Sequence, residues 1–150
     1  MKKIIIAIVA VFAMSTAANA QIQDLGLRGG WGDGWNGEIS AMWGLGGNRL
    51  ETDLGMSSNG HYINLTGIYQ WTWDLGSDFG LFAGVGANVG LWNGTANDGL
   101  GLGVDVQIGL EFTPSAIPFQ FTLDFRPQWD FMGNHNGFGP AGAFGIRYRF

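Results

Sequence analysis

The sequence predicts an all-β chain closed as an eight-stranded antiparallel up-and-down transmembrane β-barrel. Three observations carry that expectation. The first is strict two-residue alternation, clearest near the C-terminus. Phe119, Phe121, Leu123, Phe125, Pro127, Trp129 and Phe131 share one face, and Gln120, Thr122, Asp124, Arg126, Gln128 and Asp130 share the other. That is the period of a β-strand. The second is size: the bulky face is the apolar one, while glycine crowds the polar face. Glycine weakens a strand, so it needs a reason, and the narrow interior of an eight-stranded barrel supplies one. A soluble barrel would show the reverse, with small apolar residues inside and a Lys- and Glu-rich face in water. The third is number: eight such segments, mostly about 9–13 residues long. A tilted strand needs roughly 9–11 residues to cross a bilayer, and an even count lets an up-and-down sheet close without edges.

Taken in order, Leu25, Leu27, Gly29 and Trp31 alternate with Asp24, Gly26, Arg28 and Gly30. A turn at 33–36 leads to Ile39, Ala41, Trp43 and Leu45, set against Glu38, Ser40, Met42 and Gly44. Gly46-Gly47-Asn48 turns the chain with residues that tolerate positive φ. Leu50, Thr52, Leu54 and Met56 then oppose Arg49, Glu51, Asp53 and Gly55, and Asn59-Gly60 is a strong hairpin signal. The fourth strand sets Ile63, Leu65, Gly67, Tyr69, Trp71 and Trp73 against Tyr62, Asn64, Thr66, Ile68, Gln70 and Thr72, and ends at Gly76-Ser77-Asp78. The fifth runs from Phe79 to Leu91 and the sixth from Leu100 to Phe112, with Asp105, Gln107 and Glu111 on its polar face. Residues 113–118 lead into the seventh. The eighth places Phe144, Ile146, Tyr148 and Phe150 opposite Ala143, Gly145, Arg147 and Arg149.

The first twenty residues stand apart. Lys2 and Lys3, the apolar run 4–13, and the small residues Ala18 and Ala20 before Gln21 read as a cleaved secretory signal. The expected domains are therefore a signal peptide at 1–20 and a barrel at 21–150. Residues 21–150 contain five arginines, no lysine and twelve Asp and Glu, a net charge of −7. A chain with no basic stripe is not expected to bind nucleic acid. With no cysteine there are no disulfides, thiolate zinc sites or lipobox anchor. Aromatics fall at two levels, as expected for membrane interfaces. Trp43, Trp71, Trp73, Phe112, Phe119, Tyr148 and Phe150 lie at the end holding both termini, and Trp31, Trp35, Trp92, Trp129 and Phe131 at the other.

Phe144, Ile146, Tyr148 and the terminal Phe150 carry a resemblance. The chain resembles the small eight-stranded outer-membrane barrels of Gram-negative bacteria, the OmpX-, OmpA- and opacity-protein-like group. The resemblance spans Gln23 to Phe150, mostly as pattern. It implies a location in the cell outer membrane, contact with outer-membrane lipid, and insertion by the barrel-assembly machinery, which reads those four residues as a C-terminal signal. Opacity- and OmpX-type barrels often carry long outer segments, whereas the outer turns here are short.

Candidate chemistry is sparse, and no catalytic, cofactor or metal residue is assigned. His61 and His135 sit at outer turns with Ser57 and Ser58 near His61, but no third group is placed to orient a base. Asp74 with Asp78, or Asp98 with Asn93 and Asn97, lack the spacing of a calcium loop. Gly99-Leu100-Gly101-Leu102-Gly103 alternates as a strand with no helix after it, unlike a nucleotide loop. All five arginines fall on the inward face, since a charge facing lipid near mid-bilayer costs about 2–4 kcal/mol. Arg28, Arg126, Arg147, Arg149, Asp105 and Asp124 are therefore expected to form an interior charge network. Hairpins folded symmetrically about residues 113–118 and 134–136 predict Asp105 opposite Arg126, Gln107 opposite Asp124, and Asp124 opposite Arg147. The expected protein is a monomeric non-enzymatic envelope barrel, its interior mostly closed, with a structural or weak surface-binding role. A narrow pore and a lipid-modifying enzyme are the alternatives.

Overall fold

The structure is a computed structural model and describes residues 21–31, 37–56, 61–92, 99–132 and 137–150. The predicted signal segment, the Asn59-Gly60 turn, Trp35 and the Trp92 side chain lie outside those residues. Ten β segments are formed: β1 (Gln21–Trp31), β2 (Gly37–Leu45), β3 (Asn48–Met56), β4 (Tyr62–Gly76), β5 (Phe79–Trp92), β6 (Gly99–Phe112), β7 (Phe119–Phe125), β8 (Gln128–Met132), β9 (Gly137–Gly139) and β10 (Gly142–Arg149). Every pairing is antiparallel, and β1 returns to pair with β10, so the sheet closes on itself. The wall has the eight strands the sequence predicts. β7 and β8 are two halves of one strand, and so are β9 and β10, because one register runs through both breaks: Phe125 pairs with Gly142, and Gln128 with Gly139.

The breaks have a chemical cause. The shared register sets Pro127 opposite Pro140, and proline has no N–H to give a ladder. The wall stays joined around them, since Arg126 N donates to Ala141 O at 2.7 Å and Val106 N to Pro127 O at 3.1 Å. Two of the turns at the end holding both termini are tight, closed by Leu45 with Asn48 and Gly76 with Phe79. Ser77 and Asp78 both have positive φ, 54° and 67°, as a type I′ hairpin turn requires. Asp74 Oδ1 accepts from Gly76 N at 2.7 Å, and Asp78 Oδ2 from Ser115 N at 3.4 Å. The two carboxylates considered for a metal are thus used by turn backbone.

Burial follows the predicted alternation. Leu27, Ile39, Val85, Val106, Leu110, Phe125 and Phe144 stand exposed on the outer wall, while Arg28, Glu51, Gln70, Gln107, Asp124 and Arg147 are buried inside. Among the described residues no helix is long and apolar enough to cross a membrane; the apolar wall of strands is the surface that meets lipid. Aromatic pairs mark both rims. Phe79 stacks near Phe112 with centroids 4.7 Å apart, Phe119 meets Tyr148 edge-on at 5.6 Å, and Trp129 meets Phe138 at 6.3 Å at the opposite end.

Inside, glycine makes room for larger neighbours. Phe82, Ile68 and Met42 point inward and are fully buried. A Cβ on Gly109 would collide with the Phe82 ring, and one on Gly84 would come within 2.6 Å of Ile68 Cγ2. Arg49 lies over the Phe82 ring, its Cζ 5.2 Å from the centroid, a cation–π arrangement.

Candidate functional site: the charged interior

The inward side chains join into one polar network across the lumen. Arg28 on β1 donates from Nε to Asp124 Oδ2 on β7 at 3.1 Å and from Nη2 to Asp124 Oδ1. Its Nη1 lies 2.5 Å from Glu38 on β2. Arg126, at the break between β7 and β8, reaches Asp53 at 2.6 Å and Glu38 at 2.7 Å. Arg147 on β10 donates to Ser40 Oγ from Nε and Nη2 at 2.9 and 2.8 Å, and its Nη2 stands 3.2 Å from Glu51. Glu51 is fully buried and also accepts from Gln70 at 2.6 Å and Gln107 at 3.3 Å. Gln70 bonds Gln107, and Gln107 bonds Asp124 at 3.1 Å. Nearer the termini, Arg49 pairs with Glu111 at 2.6 Å, and Arg149 with Asp24 at 3.4 Å. These are charge-assisted bonds, stronger than neutral ones, in a space where an uncompensated charge is costly.

Arg28, Asp105, Asp124, Arg126 and Arg147 are all buried inside, whereas the Arg149 side chain is 51% exposed at the rim. The predicted ladder of neighbours is not formed. Asp105 pairs with Gln128, not Arg126, and Asp124 lies between Gly109 and Ala143. Arg147 faces Gln120. The reason lies in the turns. Residues 113–118 carry their own bonds, with Thr113 N donating to Asp78 O and Arg149 N to Pro118 O; the last pair before them is Phe112 with Phe121. At the other hairpin Asp130 pairs with Gly137, and that register runs on to Phe125 with Gly142, which sets Asp124 beside Ala143. The charges therefore pair across the lumen, by the length of arginine, and not along the wall.

Glu51, Glu38, Asp53, Gln70 and Ser40 proved as central as the residues singled out. Their inward parity was the signal; their partners were not readable without the closure. Among the described residues no group of three or more His, Cys, Asp or Glu is arranged to hold a metal. Of the catalytic candidates only His61 falls within the described residues, exposed just before β4; Ser57, Ser58 and His135 lie outside them, as do Asn93, Asn97 and Asp98. At the end holding both termini the lumen opens into a cavity of about 530 Å³ lined by Asp24, Arg49, Asp74, Glu111 and Arg149.

No protein-family model and no curated protein matches the sequence. Solved structures do match by fold. Neisserial surface protein A is similar at 14% identity and TM-score 0.60, covering 85% of this chain and 94% of that one. A de novo designed barrel solved by NMR is similar at 15% identity and TM-score 0.63, over 87% and 95%. A second structure, from de novo design of transmembrane β-barrels, gives 14%, 0.61, 86% and 95%. At such identities the likeness is one of fold, and the fold is that of a small eight-stranded outer-membrane-type β-barrel.

Proposed function

We propose that this protein is an integral outer-membrane barrel whose interior is closed to solutes, and that it serves the envelope structurally or by weak surface contact. The observation that supports this most is the layer formed by Arg28, Glu51, Gln70, Gln107, Asp124 and Arg147. These six side chains are all buried and bonded to one another or to Ser40 across the lumen. Eight strands leave an interior that side chains can fill, unlike the 16–18 strands of open porins.

On the same reading, Phe144, Ile146, Tyr148 and Phe150, all exposed on the outer wall, form the signal for the barrel-assembly machinery, and the segment ending at Ala18, Ala20 and Gln21 directs export. The folded protein is a monomer in contact with outer-membrane lipid, without cofactor. Planar-bilayer recording tests the closed interior. The expected trace shows no stable unit conductance. Long-lived, reproducible openings from pure protein would replace the closed barrel with a pore.

A further inference from the structure

Lysine stands at only two positions in the chain, Lys2 and Lys3, and both precede the cleavage site before Gln21. With residues 1–20 removed, every remaining cationic side chain is an arginine or a histidine. The α-amine of Gln21 is then the sole primary amine of the protein. It belongs to a residue that can consume it. In glutamine the α-nitrogen and the side-chain Cδ are the two ends of a five-atom path, so joining them closes an unstrained ring.

The fold leaves this residue free to react. Gln21 is the first residue of β1, and it is exposed. The pairing of β1 with β10 starts only at Asp24, opposite Arg149. Gln21 and Ile22 are therefore paired on one side alone, with Gly44 and Trp43 of β2. Gln23 is differently placed. Its Nε2 fills the room beside Gly44, and its carbonyl accepts from Phe150 N at 2.9 Å. One glutamine helps to close the wall, and the other overhangs it.

We propose that Gln21 is a modification site: the mature chain begins with pyroglutamate, and the finished barrel carries no primary amine. This rests on cleavage before Gln21. Near neutral pH a fraction of α-amines is unprotonated, and that form attacks Cδ of its own side chain. A bond forms between the α-nitrogen and Cδ, and the bond from Cδ to Nε2 breaks. The proton lost by the α-nitrogen leaves with Nε2 as ammonia, and nothing is oxidised or reduced. Both reacting groups belong to one residue, so the step has the advantage of an intramolecular reaction. The main-chain carbonyl of residue 21 takes no part. The resulting lactam is uncharged and offers an aminopeptidase no free terminus. It would thus protect the strand that closes the barrel, where Gln23 and Asp24 next engage Phe150 and Arg149.

The test uses protein extracted from the membranes of cells expressing the full chain. Intact mass and an amine-reactive dye, applied to protein unfolded in guanidinium chloride, read the terminus. The wild type should have the mass of residues 21–150 less one ammonia and take up no dye. Gln21→Asn should keep its ammonia and take one dye per chain, because asparagine could cyclise only to a strained four-membered ring. Pyroglutamyl aminopeptidase, which releases a cyclised first residue, should expose the Ile22 amine and restore one dye to the wild type. The uncyclised mass with one dye on the wild type would overturn the proposal and leave the cleavage site standing. A mass that begins at any other residue would overturn both. An asparagine variant that also refuses the dye would assign the block to another group and remove cyclisation. Should that variant escape processing, the wild-type mass before and after the peptidase decides: loss of one pyroglutamyl residue supports the proposal, and an unchanged, uncyclised mass removes it.

Discussion

Arg28 and Asp124, ninety-six residues apart in the chain, meet through two guanidinium nitrogens at the centre of the barrel. The pair links β1 to β7 past the intervening β10, so it forms only when the sheet has closed. Asp124→Ala would leave Arg28 with Glu38 alone at bonding distance and the Gln107 amide with only its longer bond to Glu51. Removing one partner of a buried pair costs about 3–5 kcal/mol. The expected outcome is an unfolding midpoint lowered by that order in detergent or liposomes, with wild-type strand content retained in circular dichroism. An unchanged midpoint would show that the pair contributes nothing to stability.

Two inward glycines separate tight packing from loose packing. A Cβ on Gly86 would meet the carbonyl oxygen of Gly67 and the Cα of Ile68, which are backbone and cannot step aside. A Cβ on Gly80 would meet only side-chain atoms of Glu111, Oε1 at 2.8 Å and Cγ at 2.9 Å. Gly86→Ala should therefore destabilise by about 1–3 kcal/mol, the usual cost of overpacking, and Gly80→Ala by clearly less. Equal effects would mean that the wall at Gly86 gives way more readily than its backbone neighbours allow.

How much of the barrel is legible in the sequence differs from residue to residue. Alternation alone placed Arg28, Asp105, Asp124, Arg126 and Arg147 on the inside, and it fixed the strand number through eight polar–apolar runs. It also explained why Gly84 and Gly109 lie on the crowded face. The pairings were not legible. Asp124 stands between Gly109 and Ala143 because the 113–118 turn is held asymmetrically, Thr113 N donating to Asp78 O and Pro118 O accepting from Arg149 N, contacts made outside the hairpin. Nor could a period of two show that Arg147 would reach Ser40 and Glu51, two and three strands round the wall. Periodicity reports a face; closure decides who meets across it.

The outer wall should respond to charge by depth. Val85 sits midway along β5 and is 49% exposed, whereas Trp73 lies near the turn that joins β4 to β5. Val85→Arg is expected to cost about 2–4 kcal/mol and Trp73→Arg about 0–1 kcal/mol, following the depth profile of lipid-facing arginine. Unfolding from liposomes measures both. Equal costs would place the bilayer midplane elsewhere on the wall.

Deletion of Phe150 separates assembly from stability. Its ring lies edge-on to Tyr148 at 5.5 Å and is 78% exposed, so it adds little packing, although its amide bonds Gln23 O at 2.9 Å. The truncated protein should reach the membrane at a small fraction of the wild-type level, yet refold in detergent with a nearly unchanged midpoint. Normal membrane levels would remove the assembly role from this residue.

The facing prolines have a consequence for how the wall comes apart. Beyond them lies a hairpin of only five and three residues, β8 and β9. Pro127 cannot return the bond that Val106 gives it. Free energies of local opening vary across a structure, and they are smallest where few backbone bonds must break together. Amide hydrogens past the prolines should therefore exchange through openings of that hairpin alone, while those of β10 and β7 wait for the barrel to unfold. The two rings act as a crack-stop: motion that begins at the loop end is arrested at Arg126 and Ala141, where the charged interior begins.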